Sequence, residues 1–356
     1  MTAEASQVGR RLTICVVMVS SLALGQWIPV ESSATDSGLR GVHNAGNGVI
    51  WASGTNGTVL RSEDDGFVWQ ICRVPSEART LDFRGIWAWD ANHAIVMSSG
   101  TGDASKLYET RDGGATWRLL FQNSDPTGFW DGVAFTGNNG LLVGDPVDGN
   151  FTVFRSEDMG QHWTRDSGPQ LAADPKRDGI FAASNSSLTV GAFVTGGLNG
   201  PKLFTALTAA ISRIGRPGGV MVAWSSTVLP LATNSESSGA FSFAFNSDGQ
   251  GVAVGGDYKK PGERMGTAAY RVYGTHWEAA SIPPSGFRSA LAWDPNLRCW
   301  IAVGPNGSDV SSDGGKNWRP FDKGNWNALS LPWVVGPKGR IARLDERAVK
   351  ALFEKK

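Results

Sequence analysis

One eight-residue motif occurs four times in the chain, and this repeat restricts the possible folds more than any other feature. Every copy follows the pattern Ser/Thr-x-Asp-x-Gly-x-x-Trp. The Asp, Gly and Trp of the four copies are Asp64, Gly66 and Trp69; Asp112, Gly114 and Trp117; Asp158, Gly160 and Trp163; and Asp313, Gly315 and Trp318. Such regular repetition indicates an array of similar structural units.

The residue types of the motif, known as the Asp box, suit a hairpin turn. An Asp side chain can hydrogen-bond backbone amides of its own turn, and Gly readily adopts a positive φ. The Trp then begins the next strand, where its ring can pack on neighbouring structure. We therefore interpret the box residues as structural, and not as catalytic or metal-binding groups.

The spacing of the boxes fits a β-propeller. The first three box Trp residues are 48 and 46 residues apart, which suits one four-stranded blade per repeat. The 46 Gly, 15 Trp and 19% charged residues also favour short strands over long helices. Ahead of the boxes lies a recurring prelude, a strand that begins with Gly-Val or Gly-Ile followed by a second strand that ends near a Gly. Counting by this prelude predicts an all-β, seven-bladed propeller with blades that start near Gly41, Gly85, Gly132, Gly179, Ala240, Ser289 and Asn327.

Two blades depart from the pattern. The fifth has an eroded box, with Val272 in place of the Asp, and the fourth has none. The stretch Leu203 to Ser235 of the fourth blade is partly Ala-rich and compatible with a helix. It is either a divergent blade or a frameshifted stretch, and the nucleotide sequence of the gene distinguishes the two.

The last blade needs a strand from the start of the chain. Residues 326 to 344 supply about three strands, and Trp27 precedes Gly41 by 14 residues, much as Trp69 precedes Gly85 by 16. We therefore expect Gln26 to Val30 to form the outermost strand of the seventh blade and to close the ring. The propeller is predicted to span residues 26–344, followed by a polar tail, 345–356, with a short helix.

Residues 1–25 have the features of a signal peptide: Arg10 and Arg11, an apolar stretch from Leu12 to Leu24, and Gly25 before the expected cleavage site. We expect export to the periplasm or the extracellular space, by general secretion or by the twin-arginine route. No later segment approaches the length of a membrane span. The remaining cysteines, Cys72 and Cys299, fall in blades one and six and are expected to be buried thiols.

Charge and motif content exclude several functions. The 33 basic and 33 acidic residues balance, without basic runs, which argues against nucleic acid as a partner. The four His show no metal-ligand spacing, and no phosphate loop, nucleophile elbow or dinucleotide fingerprint occurs. We predict no metal, no cofactor, no enzymatic activity and a monomer.

The Gly-Ile/Val prelude, the Gly-ending second strand and the phrase from Val334 through Gly336 and Gly339 to Ile341 resemble the photosystem II stability/assembly factor family. The resemblance covers nearly all of the chain after the signal peptide and is weakest over 203–235. It implies a seven-bladed propeller without catalytic residues that binds other proteins during assembly. A photosystem is not implied, because non-photosynthetic bacteria carry relatives.

The repeats are also similar to those of sialidases, so a sialidase-like glycoside hydrolase or a carbohydrate-binding propeller is the alternative. A sialidase needs an arginine cluster, a Tyr nucleophile with a Glu partner, and an Asp acid. The phrase Phe83-Arg84-Gly85-Ile86 lacks the Pro of the sialidase signature and recurs around Arg40 and Arg288 as part of the repeat. The enzymatic residues are therefore not apparent.

The recurring arginine position suggests a binding surface. It opens the innermost strand of each blade and should lie at one mouth of the central channel, where it reads Arg40, Arg84, Asp131, Asp178, Ser238 or Gly239, Arg288 and Trp326. We hypothesise that this rim binds an acidic or carboxylate-bearing segment of a partner protein through its guanidinium groups. The alternative is that the rim residues pair with one another and solvate the mouth.

Overall fold

The computed structural model describes residues 26–30, 34–210 and 220–354, which form seven β-sheets and one α-helix. The sheets are the blades of a propeller, and the predicted seven-bladed fold is confirmed. Successive innermost strands contact each other around the ring, and the last of them contacts the first. The signal peptide predicted at 1–25 lies outside the described residues.

The N-terminal strand β1 (Trp27–Val30) precedes three regular four-stranded blades, each ordered from the channel outward. Blade one contains β2 (Leu39–Gly46), β3 (Val49–Gly54), β4 (Val59–Ser62) and β5 (Gln70–Ile71). Blade two contains β6 (Phe83–Ala88), β7 (Ala94–Ser98), β8 (Lys106–Thr110) and β9 (Arg118–Gln122). Blade three contains β10 (Trp130–Thr136), β11 (Asn139–Val147), β12 (Asn150–Ser156) and β13 (Thr164–Arg165). Short 3-10 turns lie at Ser76–Ala78, Gly102–Ala104 and Pro169–Leu171.

Blades four and five are joined at their inner ends. Blade four contains β14 (Asp178–Gly179), β15 (Leu188–Thr189), β16 (Ala192–Val194), β17 (Gly196–Gly197), β18 (Lys202–Ala210) and β19 (Val220–Val228). Blade five contains β20 (Ser238–Phe245), β21 (Gly251–Asp257), β22 (Ala268–Tyr273) and β23 (His276–Ala279). Gly196 of β17 pairs with Gly239 of β20, so β14 and β17 extend the sheet of blade five.

The Ala-rich stretch of blade four is not helical. Its first part belongs to β18, which pairs with β19 in a long antiparallel hairpin. Phe204 of β18 stacks on Phe193 of β16 with ring centroids 4.7 Å apart, so the hairpin contributes to the core as an outer strand pair. The composition of this stretch is compatible with a helix, but sheet pairing makes its described part a strand.

Blade six contains β24 (Ala290–Asp294), β25 (Cys299–Gly304), β26 (Gly307–Ser311) and β27 (Arg319–Asp322), and blade seven contains β28 (Ala328–Ser330), β29 (Trp333–Val335) and β30 (Ile341–Leu344). The fourth strand of blade seven is β1, antiparallel to β30 with Trp27 opposite Leu344. Closure of the ring by the N-terminal strand is thus confirmed.

The Asp boxes connect successive blades. In the first, Ser62 donates to Asp64 Oδ1, which also accepts the amide of Val68 at 2.9 Å. Gly66 has a φ of +81°, and a Cβ there would lie 2.2 Å from the ring of Trp333 in blade seven. Trp69 also packs edge-on against Trp333, with centroids 6.1 Å apart. The box is a turn held by the hydrogen bonds of its Asp, and it packs against the neighbouring blade.

The chain ends in helix α1 (Glu346–Glu354), which covers the junction of blades six and seven. Asp345 caps it by accepting the amides of Arg347 and Ala348 at Oδ1. Val349 is fully buried in the cluster that contains Trp27 and Cys299. The tail is therefore amphipathic and packed, whereas its sequence suggested only a polar helix.

Both cysteines of the propeller are free and buried. Burial raises the pKa of Cys72 to about 11 and that of Cys299 to about 12. Neither thiol is therefore prepared for nucleophilic chemistry at neutral pH.

Candidate binding cavity at the channel mouth

The innermost strand of blade four is split by a segment that enters the central channel. Residues 180–187, here called the plug, connect β14 to β15. The Ser184 hydroxyl donates to the carbonyl of Ser289 in blade six, and the Ser186 hydroxyl donates to Ser242 in blade five. The plug therefore contacts the neighbouring blade five and reaches blade six.

Asn185 fixes the plug to the two blades that precede it. Its Oδ1 accepts the amide of Val133 at 2.9 Å, and its Nδ2 donates to the carbonyls of Val133 and Ile86 at 2.9 and 3.3 Å. Glycines make room for the segment, because a Cβ at Gly85 would lie 2.9 Å from Asn185 Oδ1. The plug thus forms a floor across the channel.

Above this floor lies a cavity of about 450 Å³ at one mouth of the channel. Its lining combines two arginines, two aspartates and a group of aromatic rings. The lining residues that matter for its chemistry are Arg40, Arg84, Asp131, Asp145, Phe181, Phe241, Tyr258, Ser289 and Asn327. We take this cavity as the candidate site.

A β-bulge at the start of the innermost strand places the rim side chains. The pairing register shifts between Leu39 and Gly41, so Arg40 is the extra residue in blade one. Equivalent shifts make Arg84, Asp131 and Phe241 the extra residues of blades two, three and five. A bulged residue is released from the ladder and can be re-aimed, and all four line the cavity.

The structure brings three of the predicted rim residues together, Arg40, Arg84 and Asp131. Trp326 also lines the cavity, although only 3% of it is exposed. In blade five the bulge residue is Phe241, and not Ser238 or Gly239 as predicted.

Arg288 is not at the rim, so its predicted placement was wrong. In blade six Ala290 pairs with Val303, one residue before the final Gly304, as Gly41 pairs with Ser53 before Gly54 in blade one. Ser289 is therefore the equivalent of Arg40, and Arg288 takes the buried position of Leu39. A shift of one residue reverses the face of a strand side chain.

The buried Arg288 is fully paired. Its side chain is 0% exposed, and its Nε donates to Asp309 Oδ2 at 2.7 Å. Its Nη1 donates to Asn306 Oδ1 at 2.6 Å. Desolvation lowers the pKa of Arg288, and the attraction of Asp309 opposes that effect. Because the guanidinium of Arg288 is buried and already hydrogen-bonded, it is not accessible to an external ligand.

Asp178 also lies outside the cavity. It lines an adjoining groove of about 960 Å³, where its Oδ2 accepts the amide of Asp174 and the Nδ2 of Asn199. Its Oδ1 is 4.0 Å from the ammonium of Lys202. The groove is continuous with the cavity, since Asp145, Ile180, Phe181 and Tyr258 line both.

The positive side of the cavity carries two guanidinium groups around one carboxylate. Arg84 Nε donates to Asp82 Oδ2 at 2.8 Å, and its Nη1 donates to the carbonyl of Ala182 in the plug. Arg40 Nε lies 3.9 Å from Asp82 Oδ1 and has no hydrogen-bond partner. Burial, and then the charge of Arg84, lower the pKa of Arg40. Of the two arginines, Arg40 therefore has the weaker set of partners for its positive charge.

The other side of the cavity is acidic. Asp131 is 2% exposed, and burial together with the nearby Asp145 raises its pKa well above the ordinary value. Burial raises the pKa of Asp145 to about 6, although the amide of Ile180 donates to its Oδ1 at 3.0 Å. Sequence reasoning missed Asp145, which enters the site only because β11 runs beside β10.

An aromatic wall completes the cavity. The rings of Phe181 and Phe241 are stacked, with centroids 3.9 Å apart and planes within 3°. Tyr258 stands edge-on to both at 6.2 Å, and Phe287 stands edge-on to Phe241 at 4.6 Å. Such a wall favours an apolar or cationic group over a small polar solute.

The described part of the chain contains no group of three His, Cys, Asp or Glu side chains suited to a metal ion. It also contains no helix long and apolar enough to cross a membrane. The chemistry available at the cavity is therefore that of charged and aromatic side chains.

Residues 67–192, which include blades two and three, match the model of a family described as Photosynthesis system II assembly factor YCF48. The predicted resemblance is confirmed. Over this range the chain is similar to the YCF48 family. Among curated protein sequences, none matches it.

Solved structures agree with the propeller fold. "YCF48 bound to D1 peptide" is 17% identical, with a TM-score of 0.57, over 90% of this chain and 97% of its own. YCF48 from Cyanidioschyzon merolae is 17% identical, with a TM-score of 0.60, over 91% and 100%. A GH74 xyloglucanase from Xanthomonas campestris is also 17% identical, with a TM-score of 0.55, over 90% of this chain and 53% of its own. At such identities these likenesses establish the fold alone.

Proposed function

We propose that the chain is an exported, non-catalytic propeller that binds an acidic segment of a partner protein at the channel mouth. The observation that carries this proposal is Arg40, a rim guanidinium whose Nε has no hydrogen-bond partner and whose one carboxylate neighbour is shared with Arg84. A carboxylate of the partner would complete a charge-assisted pair there.

The shape of the site favours a polypeptide segment as the occupant. The cavity opens into the adjoining groove, and together they form a continuous path past Tyr258 and Phe181. An extended chain can place one side chain in the cavity while its neighbours lie in the groove. The solved structure of the similar propeller YCF48 holds a bound D1 peptide, which supports a peptide as the class of ligand.

A pull-down from an envelope extract, with the purified propeller as bait, tests the proposal. We expect Arg40→Gln/Arg84→Gln to lose a partner that the wild type captures, while its melting temperature changes little. The matched control, Arg73→Gln/Arg347→Gln, removes two charges from exposed positions outside the cavity. Equal capture by the wild type and the rim variant would refute the proposal.

Glycan binding or hydrolysis is the second candidate function. The GH74 xyloglucanase shares the fold, and Asp131 and Asp145 place two carboxylates with raised pKa in one cavity, which are the groups that glycosidases use. A glycan array and hydrolysis assays with xyloglucan and a fluorogenic sialoside test it. Turnover that Asp131→Asn abolishes would replace the binding proposal with an enzymatic one.

A further inference from the structure

The aspartates on the acidic side of the cavity, like Arg40, lack some of the partners that a buried charged group needs. Only 2% of Asp131 is exposed, and its Oδ2 has no hydrogen-bond partner. A buried carboxylate oxygen without a partner is costly, because it has lost water and gained nothing in return. Such an atom in the wall of a cavity indicates that a ligand supplies the missing donor.

Arg84, the cation that acts on this carboxylate, is already engaged elsewhere. Arg84 is held by Asp82 and by the carbonyl of Ala182. Across the described ranges, 26–30, 34–210 and 220–354, neither Asp131 nor Asp145 forms an ion pair. Asp145 receives one amide, from Ile180. The two carboxylates therefore face the cavity with no ion-pair partner, and the charge of Arg84 offsets the burial of Asp131 only in part.

The aromatic wall fits a cation at this position. Phe181 and Phe241 present ring surfaces to the same cavity that Asp131 lines. An ammonium or guanidinium group is attracted both to carboxylates and to ring faces. A metal ion is less suited, since the described residues offer no third acidic or imidazole ligand beside the pair.

We infer that Asp131 and Asp145 receive a basic group of the bound segment, a Lys, an Arg or an N-terminal amine. The ligand therefore carries an acidic group for Arg40 and a basic group for the aspartates, on neighbouring positions. This inference rests on the proposed function, since it describes the same ligand in more detail. The raised pKa of both aspartates supports it, because each shift has burial as its main cause and lacks a cation to oppose it fully.

The test is a selection of random twelve-residue peptides displayed on phage, with the wild type and three variants as baits. Asp131→Asn/Asp145→Asn removes the acidic pair, and Arg40→Gln/Arg84→Gln removes the basic pair. Asp103→Asn/Asp248→Asn is the matched control, because it removes two exposed carboxylates outside the cavity. Melting temperatures establish that each bait is folded, and Asp145→Asn alone replaces the double variant if that one unfolds.

We expect the wild type and the control to enrich peptides that carry both an acidic and a basic residue. The acidic-pair variant should lose the preference for basic residues, keep the preference for acidic ones, and bind a selected peptide about tenfold more weakly. Enrichment of acidic residues without basic ones would overturn the inference and leave the proposed function standing. So would a basic preference that survives the loss of both aspartates. Absence of any enriched peptide would overturn the proposed function itself, and the inference with it.

Discussion

Two arginines in similar phrases of different blades show that a shift of one residue in strand register changes the role of a side chain. Arg40 and Arg288 each lie near the start of the innermost strand of their blade, in similar phrases. Arg40 is a bulge residue with 34% of its side chain exposed, whereas Arg288 is fully buried against Asp309. The first is available to a ligand, and the second belongs to the core.

We predict that Arg288→Met destabilises the propeller strongly. The substitution keeps much of the side-chain volume but leaves Asp309 buried without its cation. Removing one partner of a buried ion pair costs about 3–5 kcal/mol, so the midpoint of thermal or urea unfolding should fall clearly. Circular dichroism or tryptophan fluorescence provides the measurement.

Arg40→Met is the matched control for that prediction. It removes the same group from a half-exposed pair at 3.9 Å from Asp82, where ion pairs contribute only about 0–1 kcal/mol. A small effect of Arg288→Met, or equal effects of the two variants, would contradict the assignment of Arg288 to the core and of Arg40 to the rim.

At the scale of elements, the plug determines what kind of site the channel contains. Without it the innermost strands would surround an open pore. With it, the channel has a floor, and the carbonyl of Ala182 in the plug fixes Arg84. The binding cavity therefore depends on a segment of blade four as much as on the rim residues.

We predict that Asn185→Ala loosens the plug while the blades remain folded. The variant removes the acceptor for the Val133 amide and two donated hydrogen bonds, to Val133 and Ile86. Leaving such buried groups unpaired costs about 1–3 kcal/mol. Hydrogen exchange at the Val133 amide should accelerate, and binding at the cavity should weaken with it.

Asn296→Ala, at an exposed turn of blade six, is the control for general effects of removing an Asn side chain. Protection of the Val133 amide should be the same in this control as in the wild type. If Asn185→Ala exchanges no faster, the plug is held by contacts other than this side chain, and its role as the floor of the cavity is misassigned.

The sequence predicted the elements that local chemistry determines. The boxes, the number of blades and the closing strand around Trp27 all follow from motifs whose turn or spacing is encoded within a few residues. The plug was missed because Gly179-Ile180 looks like the prelude of any other blade, and the excursion that follows is held by four other blades. Asp145 was missed for a similar reason, as only sheet pairing brings it beside Asp131.

The rim was predicted in part. Arg40, Arg84 and Asp131 were identified because their blades keep the Gly that follows the bulge. In blades five and six that position holds Ser242 and Ala290. The count slipped by two or three residues in blade five and by one in blade six, where it selected buried Arg288 in place of Ser289. Register is a property of strand pairs, and one strand alone does not specify it.

At the scale of the whole molecule, the ring is held closed by a short strand from the other end of the chain. Only four residues, Trp27–Val30, pair with β30. Most of their contribution should come from Trp27, which is 4% exposed and donates from its indole to Ser308 Oγ at 3.0 Å. Its ring also packs on Phe321 and Trp326, 6.0 and 6.1 Å away, so one side chain links blades six and seven.

We predict that Trp27→Ala opens the ring at this junction. Loss of a buried Trp costs about 3–5 kcal/mol, and the exposed edge of β30 should become accessible to protease. Ile28→Ala is the matched control, because Ile28 lies in the same strand but is 52% exposed, so that variant should melt like the wild type. Limited proteolysis with mass spectrometry should show early cleavage in blade seven and helix α1 for Trp27→Ala alone. Because residues of all seven blades line the cavity, opening the ring should also abolish ligand binding. A Trp27→Ala variant that melts and binds like Ile28→Ala would show that closure does not depend on Trp27.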